Sequence, residues 1–129
     1  MARYRKPHLL LITTDQQRGD CLGCEGHPAV ETPYVDQIAE KGARFRHAYT
    51  SVPSCTPARA GIITGMDPWN HGRLTMTGND PLDYPATLPG ELSDAGYHTR
   101  LVGKAHHAPQ RTLQGFHETC LDESGRRDA

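Results

Sequence analysis

The segment His8-Leu-Leu-Leu-Ile12 is an unbroken apolar run that gives way at once to Thr13-Thr-Asp-Gln-Gln-Arg-Gly19. A strand with one wet face alternates apolar and polar residues. A continuous run is what a strand needs when helices cover both faces of a parallel sheet. Parallel strands must be joined by long crossovers, so the run commits the rest of the chain to alternating helices and strands. Polar residues just past such a strand stand where open α/β sheets bind their ligands. Arg3, Arg5 and Lys6 before the run resemble the start of a signal peptide, but the apolar part is too short and Asp15 closes it without a small-residue cleavage site. No apolar stretch approaches the roughly 20 residues of a membrane span, so no membrane partner and a cytoplasmic location are expected.

The remainder follows the alternation. Thr32 and Pro33 suit the cap and first position of a helix that Gly42 ends, with Val35, Ile38 and Ala39 on one face. Arg44–Tyr49 reads as a short strand. Ala60–Gly65 reads as helical, and residues 66–86, rich in Gly, Pro, Asn and Asp, as a long loop of the kind that is functional or disordered. Thr87 caps a further helix that stops at Gly96. Tyr97–Val102 is a strand leading into Gly103-Lys-Ala-His-His107. The stretch 120–129 is polar and charged and reads as a disordered tail, leaving 1–119 as one structured portion. The fold class expected is α/β with a mostly parallel sheet.

A net charge of -1 and no basic patch with interleaved aromatics argue against a nucleic-acid partner. Cys21-Leu-Gly-Cys24 has the spacing of a zinc or redox pair. A closed zinc site commonly uses two such pairs, and no second one is present, so these read as loop thiols.

Ser54-Cys-Thr-Pro-Ala-Arg-Ala-Gly61 concentrates unusual chemistry. With Pro57 as the first helical residue, Thr56 is the cap and Cys55 lies just before it. Arg59, four residues on, projects to the same side. The unsatisfied N–H groups and positive end of the helix face the same way, making a nucleophile position in an anion-binding corner. A cysteine phosphatase loop is excluded: it has five residues between thiol and arginine, where only three separate Cys55 from Arg59, and Pro57 removes a backbone donor.

CTPARAGIITG closely resembles the signature of the formylglycine-dependent sulfatases. The resemblance extends over residues 8 to about 107. The first strand with Asp15 and Gln16 is similar to the family's metal loop, residues 32–45 to its TPNLD…GVRF stretch, residues 87–102 to TLPELLREAGY, and Gly103-Lys-Ala-His106 to GKWH. It implies a partial alkaline-phosphatase-like layered fold and hydrolysis of a small-molecule sulfate ester. It further implies that a formylglycine-generating enzyme oxidises Cys55, and that one hydroxyl of the hydrated aldehyde attacks sulfur while the other helps expel sulfate. By the same resemblance, Asp15, Gln16 and residue 55 hold a divalent metal, Ca²⁺ ahead of Mg²⁺ or Mn²⁺. Arg59 stabilises the modified residue, while Lys104 and His106 handle the substrate anion. His71, in Asn70-His-Gly72, is expected to be structural.

Gln16 and the Lys-Ala-His-His form lean toward members that hydrolyse phosphonate monoesters or phosphodiesters. The family's later Asp-Asn or Asp-His metal pair has no counterpart after Lys104. The polypeptide alone is therefore expected to be a truncated portion that binds metal poorly and is inactive. A non-catalytic remnant binding an anion or a protein is the reading from another class.

Overall fold

Cys55-Thr-Pro sits at the start of a helix because a proline there breaks no hydrogen bond. In the computed structural model, which describes residues 6–76, 83–109 and 111–122, helix α2 spans Cys55–Thr64 with Ser54 as its N-cap. The helix therefore begins two residues earlier than expected, and Pro57 is its third residue rather than its first. The first N–H groups of a helix have no acceptor within it, so the missing donor of Pro57 is no loss, and the ladder opens with Ala58 N–H to Ser54 O at 3.0 Å. The Ser54 side chain makes no capping bond.

The described chain forms two compact units, Met1–Ala48 and Tyr49–Ala129. In the first, a 3-10 turn at Gly23–Glu25 packs beside helix α1, Pro33–Lys41. Thr32 stands at the N-cap of α1, but its hydroxyl caps no backbone N–H of the helix and instead links the turn to a side chain of α1. It accepts from Gly23 N–H at 2.9 Å and donates to Asp36 at 2.8 Å, while Asp36 also accepts from Cys24 N–H at 2.8 Å. The Thr32 hydroxyl is the main reason the Asp36 carboxyl is held below the usual carboxylate range. Glu25 lies between Arg44 and Arg46, at 3.6 and 3.7 Å.

Two expected strands are absent from this unit. Residues 8–12 and 44–49 form no ladder, and Leu9, Leu10, Leu11 and Ile12 remain 61–85% exposed. An apolar run becomes a strand only when neighbours accept and donate along both edges. Among the described residues no strand pairs with it.

The second unit holds the remaining elements: α2, α3 (Pro68–His71), α4 (Leu88–Asp94), β1 (Arg100–Gly103) and β2 (Glu118–Leu121). Helix α3 interrupts the expected long loop. Asp67 caps it, accepting from Asn70 N–H at 3.0 Å, and Pro68 opens it. Residues 77–82 of that loop lie outside the described residues. Thr87 caps α4 as expected. Its end is closed by Tyr97 N–H to Leu92 O at 2.9 Å, with Gly96 in the left-handed region at φ 82°.

Strands β1 and β2 are parallel, with Arg100 opposite Glu118 and Gly103 opposite Leu121. Strand β1 is shorter than the Tyr97–Val102 expected, because Thr99 is committed to the incoming turn. Its N–H donates to His117 Nδ1 at 3.1 Å, and its carbonyl accepts from His117 N–H at 3.0 Å. Strand β2 takes in Cys120 and Leu121, from the stretch read as a tail; residues 123–129 lie outside the described residues. No helix among the described residues is long and apolar enough to cross a membrane.

Two outcomes follow for stability. A Cβ at Gly115 would stand 2.6 Å from both Gly90 N and Thr87 Oγ1, at a residue with φ 93°. Gly115→Ala is expected to destabilise the protein by about 3 kcal/mol, measured as a shift in urea midpoint. Glu118 is held below the usual carboxylate range, first by its hydrogen bond with His98 (3.0 Å) and then by the charge of Arg100. A depressed carboxyl stabilises above its unfolded pKa, and that contribution is lost as pH falls through the folded value. The thermal midpoint is expected to fall between about pH 5 and 3, and to fall less in Glu118→Gln.

Candidate active site

The buried side of α2 is formed by Thr56, Pro57 and Ala60, with Pro57 under 2% exposed and Ala60 3%. Close packing there leaves Cys55 and Arg59, one helical turn apart, partly accessible. The N–H groups of Cys55 and Thr56 precede the first rung of the ladder and are not met by a Ser54 side-chain cap. The start of α2 thus offers unsatisfied donors and the positive end of the helix dipole beside the Cys55 thiol.

Arg59 reaches across the unit. Its Nη1 donates to the carbonyl oxygen of Lys104 at 2.6 Å, a contact between residues 45 apart in sequence. The guanidinium stays charged at any accessible pH, so the bond is charge-assisted and draws the segment after β1 to the flank of α2. Along that segment burial alternates: Lys104 and His106 are partly accessible, while Ala105 and His107 are buried. The imidazole of His107 is fastened below by Nε2–H to Thr112 O at 2.9 Å. Lys104 and His106 are thus the partly accessible residues just past the carboxyl end of a parallel strand, with His106 Nδ1 itself buried. His106 has φ 55°, the left-handed region that a branched or ring-bearing residue enters at a cost.

His71 supports α2 from behind. It is 6% exposed, and a Cβ added at Gly61 of α2 would lie 3.9 Å from its Nε2. Its Nδ1 accepts from Arg73 N–H at 3.1 Å, and its carbonyl accepts from the Tyr84 hydroxyl at 3.2 Å. Burial pushes the Tyr84 hydroxyl above its usual pKa, partly offset by Arg73. The sequence offers no sign of one further contact: Met76 Sδ lies 3.2 Å from Cys55 Sγ. Met76 is 21 residues away in a stretch without periodicity, where spacing carries no information about contact.

Asp15 and Gln16 belong to the first unit, Cys55, Arg59, Lys104 and His106 to the second. Asp15 and Gln16 are adjacent, and Gln16 has φ 57°, again left-handed for a residue with a side chain. Their carboxylate and amide oxygens are the hard donors that Ca²⁺ or Mg²⁺ takes, so the donor chemistry fits such an ion. Among the described residues no group of three or more His, Cys, Asp or Glu side chains forms a metal shell. Cys21, Cys24, Cys55 and Cys120 are free thiols. A cavity of about 300 Å³ opens beside α4, lined among others by Thr87, Glu91, Asp94 and Gln114, and none of the six candidate residues borders it.

Residues 7–128 match the family model described as Sulfatase. The chain is 47% identical over 118 residues to an arylsulfatase of Clostridium perfringens, covering 92% of this chain and 24% of that protein. It is 36% identical over 129 residues to human arylsulfatase A, covering 91% and 25%. Among solved structures it superposes on the phosphonate monoester hydrolase of Agrobacterium radiobacter with a TM-score of 0.83 and 32% identity, covering 92% of this chain and 26% of that one. The match confirms the α/β, alkaline-phosphatase-like architecture with parallel strands. The chain spans about a quarter of the length of these relatives.

The backbone of His106 can be tested apart from its side chain. His106→Gly and His106→Ala both lose the imidazole, but only alanine keeps the left-handed penalty. The glycine variant is expected to be the more stable by about 1 kcal/mol in urea denaturation.

Proposed function

The chain belongs to the sulfatase family, and on that premise we propose that it carries the nucleophile and part of the anion- and metal-binding apparatus of a sulfuric ester hydrolase. Cys55, matured by a formylglycine-generating enzyme, is the nucleophile. A thiol has no second hydroxyl with which to release the transferred group, whereas a hydrated aldehyde at residue 55 attacks with one hydroxyl and releases sulfate with the other. Arg59 holds its charge beside residue 55. Lys104 places an ammonium against the ester's outer oxygens, and His106 passes the proton that the departing alcohol oxygen requires.

Asp15, Gln16 and residue 55 would hold a divalent cation, Ca²⁺ in preference to Mg²⁺ or Mn²⁺. When bound, it supplies positive charge that offsets the oxygens' negative charge. Two or three donors are part of the roughly six to eight that Ca²⁺ takes, so the complete shell draws on further groups. The substrate is a small-molecule sulfate ester, and the proposed setting is the cytoplasm. No role for nucleic acid or a membrane enters this reading.

The observation that carries the proposal is the Arg59–Lys104 hydrogen bond. It brings the start of α2 and the end of β1 to one place, where a tetrahedral anion meets cationic groups from both elements. A second reading, hydrolysis of phosphonate monoesters or phosphodiesters by the same groups, draws support from the superposition on a phosphonate monoester hydrolase and from Gln16. The ratio of kcat/KM for matched sulfate and phosphonate esters separates the two.

The direct test is mass spectrometry of the peptide containing Cys55 from the native host. Maturation lowers its mass by about 18 Da, and an unmodified thiol throughout would overturn the nucleophile assignment. In the enzyme containing this segment, Cys55→Ala is expected to abolish turnover of an aryl sulfate. Arg59→Ala is expected to lower kcat by about 10²–10³-fold.

A further inference from the structure

His107 has no part in the chemistry above, yet it adjoins His106 in the chain and is 7% exposed. Its Nε2 lies 2.9 Å from the carbonyl oxygen of Thr112, and a carbonyl only accepts, so Nε2 carries the proton. Nδ1 is then a bare acceptor, buried and without a partner among the described residues. Burying that idle nitrogen costs free energy. An apolar side chain at 107 would avoid the cost and lose only the bond to Thr112, so that bond is what a histidine contributes here.

The acceptor is itself anchored. Thr112 N–H donates to Pro109 O at 3.1 Å, and two residues on the Gln114 carbonyl accepts from the Thr87 hydroxyl at the start of α4, at 2.9 Å. At the other end of the same segment Arg59 Nη1 holds the Lys104 carbonyl at 2.6 Å. His106 lies between these two attachments, flanked by buried Ala105 and His107, with φ 55°. A left-handed backbone at a residue with a side chain relaxes unless the chain is fixed on both sides of it.

We infer that His107 is a positioning residue: through its bond to Thr112 it fixes the left-handed turn at His106, and with it the direction of that imidazole. Its consequence for turnover rests on the reading of His106 as the group that passes the proton. As the ester S–O bond breaks, the bonding pair goes to the alcohol oxygen, which takes a proton from His106. Such a transfer needs the donor within hydrogen-bond reach. A good leaving group departs as an anion and hardly needs the proton, whereas a poor one depends on it. A misdirected His106 penalises the poor leaving group selectively. Loss of folded protein penalises both alike.

The test has two arms and three variants. His107→Met has no donor, and His107→Gln, of the same length, puts an amide nitrogen where Nε2 stood. The amide and Cα hydrogens of one residue lie closest at positive φ, so the NOE between them in this chain reports the His106 backbone directly. It is expected to stay strong in His107→Gln and to weaken in His107→Met. In the enzyme containing this segment, the second readout is the ratio of kcat/KM for nitrophenyl sulfate to that for phenyl sulfate. The concentration of folded enzyme cancels from it, so a destabilised variant still gives a reading. The ratio is expected to rise about tenfold in His107→Met and to stay within about threefold of the parent in His107→Gln. His106→Ala is expected to raise it at least as far as His107→Met. An NOE that stays strong in His107→Met, a ratio that rises in His106→Ala but not in His107→Met, or one that rises as far in His107→Gln as in His107→Met each overturn the role of His107 and leave His106 standing. A ratio unmoved by His106→Ala overturns the reading of His106 as the proton donor, and this inference with it.

Discussion

The bond from Arg59 to the carbonyl of Lys104 is the constraint on which the rest of the second unit depends. A helix start and a strand end distant in sequence gain nothing from local propensity by lying side by side. A guanidinium that cannot discharge, partly removed from water, must find an acceptor, and a backbone carbonyl at a strand end is one left over from the ladder. Satisfying one group satisfies the other. The consequence is positional: the helix turn that carries Cys55 and Arg59 lies beside the backbone at Lys104.

Around that tie the packing is economical. Helix α2 buries Thr56, Pro57 and Ala60, small or compact side chains that let neighbours approach closely. His71 backs Gly61, and Ala105 and His107 anchor the strand-end segment from below. The residues proposed to meet substrate, Cys55, Arg59, Lys104 and His106, are partly accessible. Two of the candidate residues, Gln16 and His106, have left-handed backbones. Strain of this kind persists where surrounding contacts overdetermine the chain, and it recurs at sites that must aim a side chain.

Much of this was legible residue by residue. Thr32-Pro33 and Thr87-Leu-Pro announced α1 and α4 because caps and prolines act over one turn. Asp67-Pro68 carries the same signal for α3 inside a glycine- and proline-rich stretch. The start of α2 lies two residues before the expected one because proline is at home anywhere among the donors a helix leaves unbonded. The strand expected at 8–12 failed for a different reason. The run is apolar throughout, but a strand is a property of a pair, and among the described residues no partner ladder is present. Strand β2 has little sequence signature, because four residues, alternately exposed and half-buried, carry little period.

The sequence by itself determined the chemistry on offer and its family. Cys55, Thr56, Pro57 and Arg59 are neighbours along the chain, so their order states which groups share a helix turn, and the order of motifs from residue 8 to 107 is a property of the string. Tertiary structure alone decided which distant groups touch. It joined Arg59 to Lys104, set Met76 against Cys55 and placed His71 behind Gly61. Such contacts arise from packing and from the need to pair every buried polar group, neither of which leaves a period or a spacing to be read.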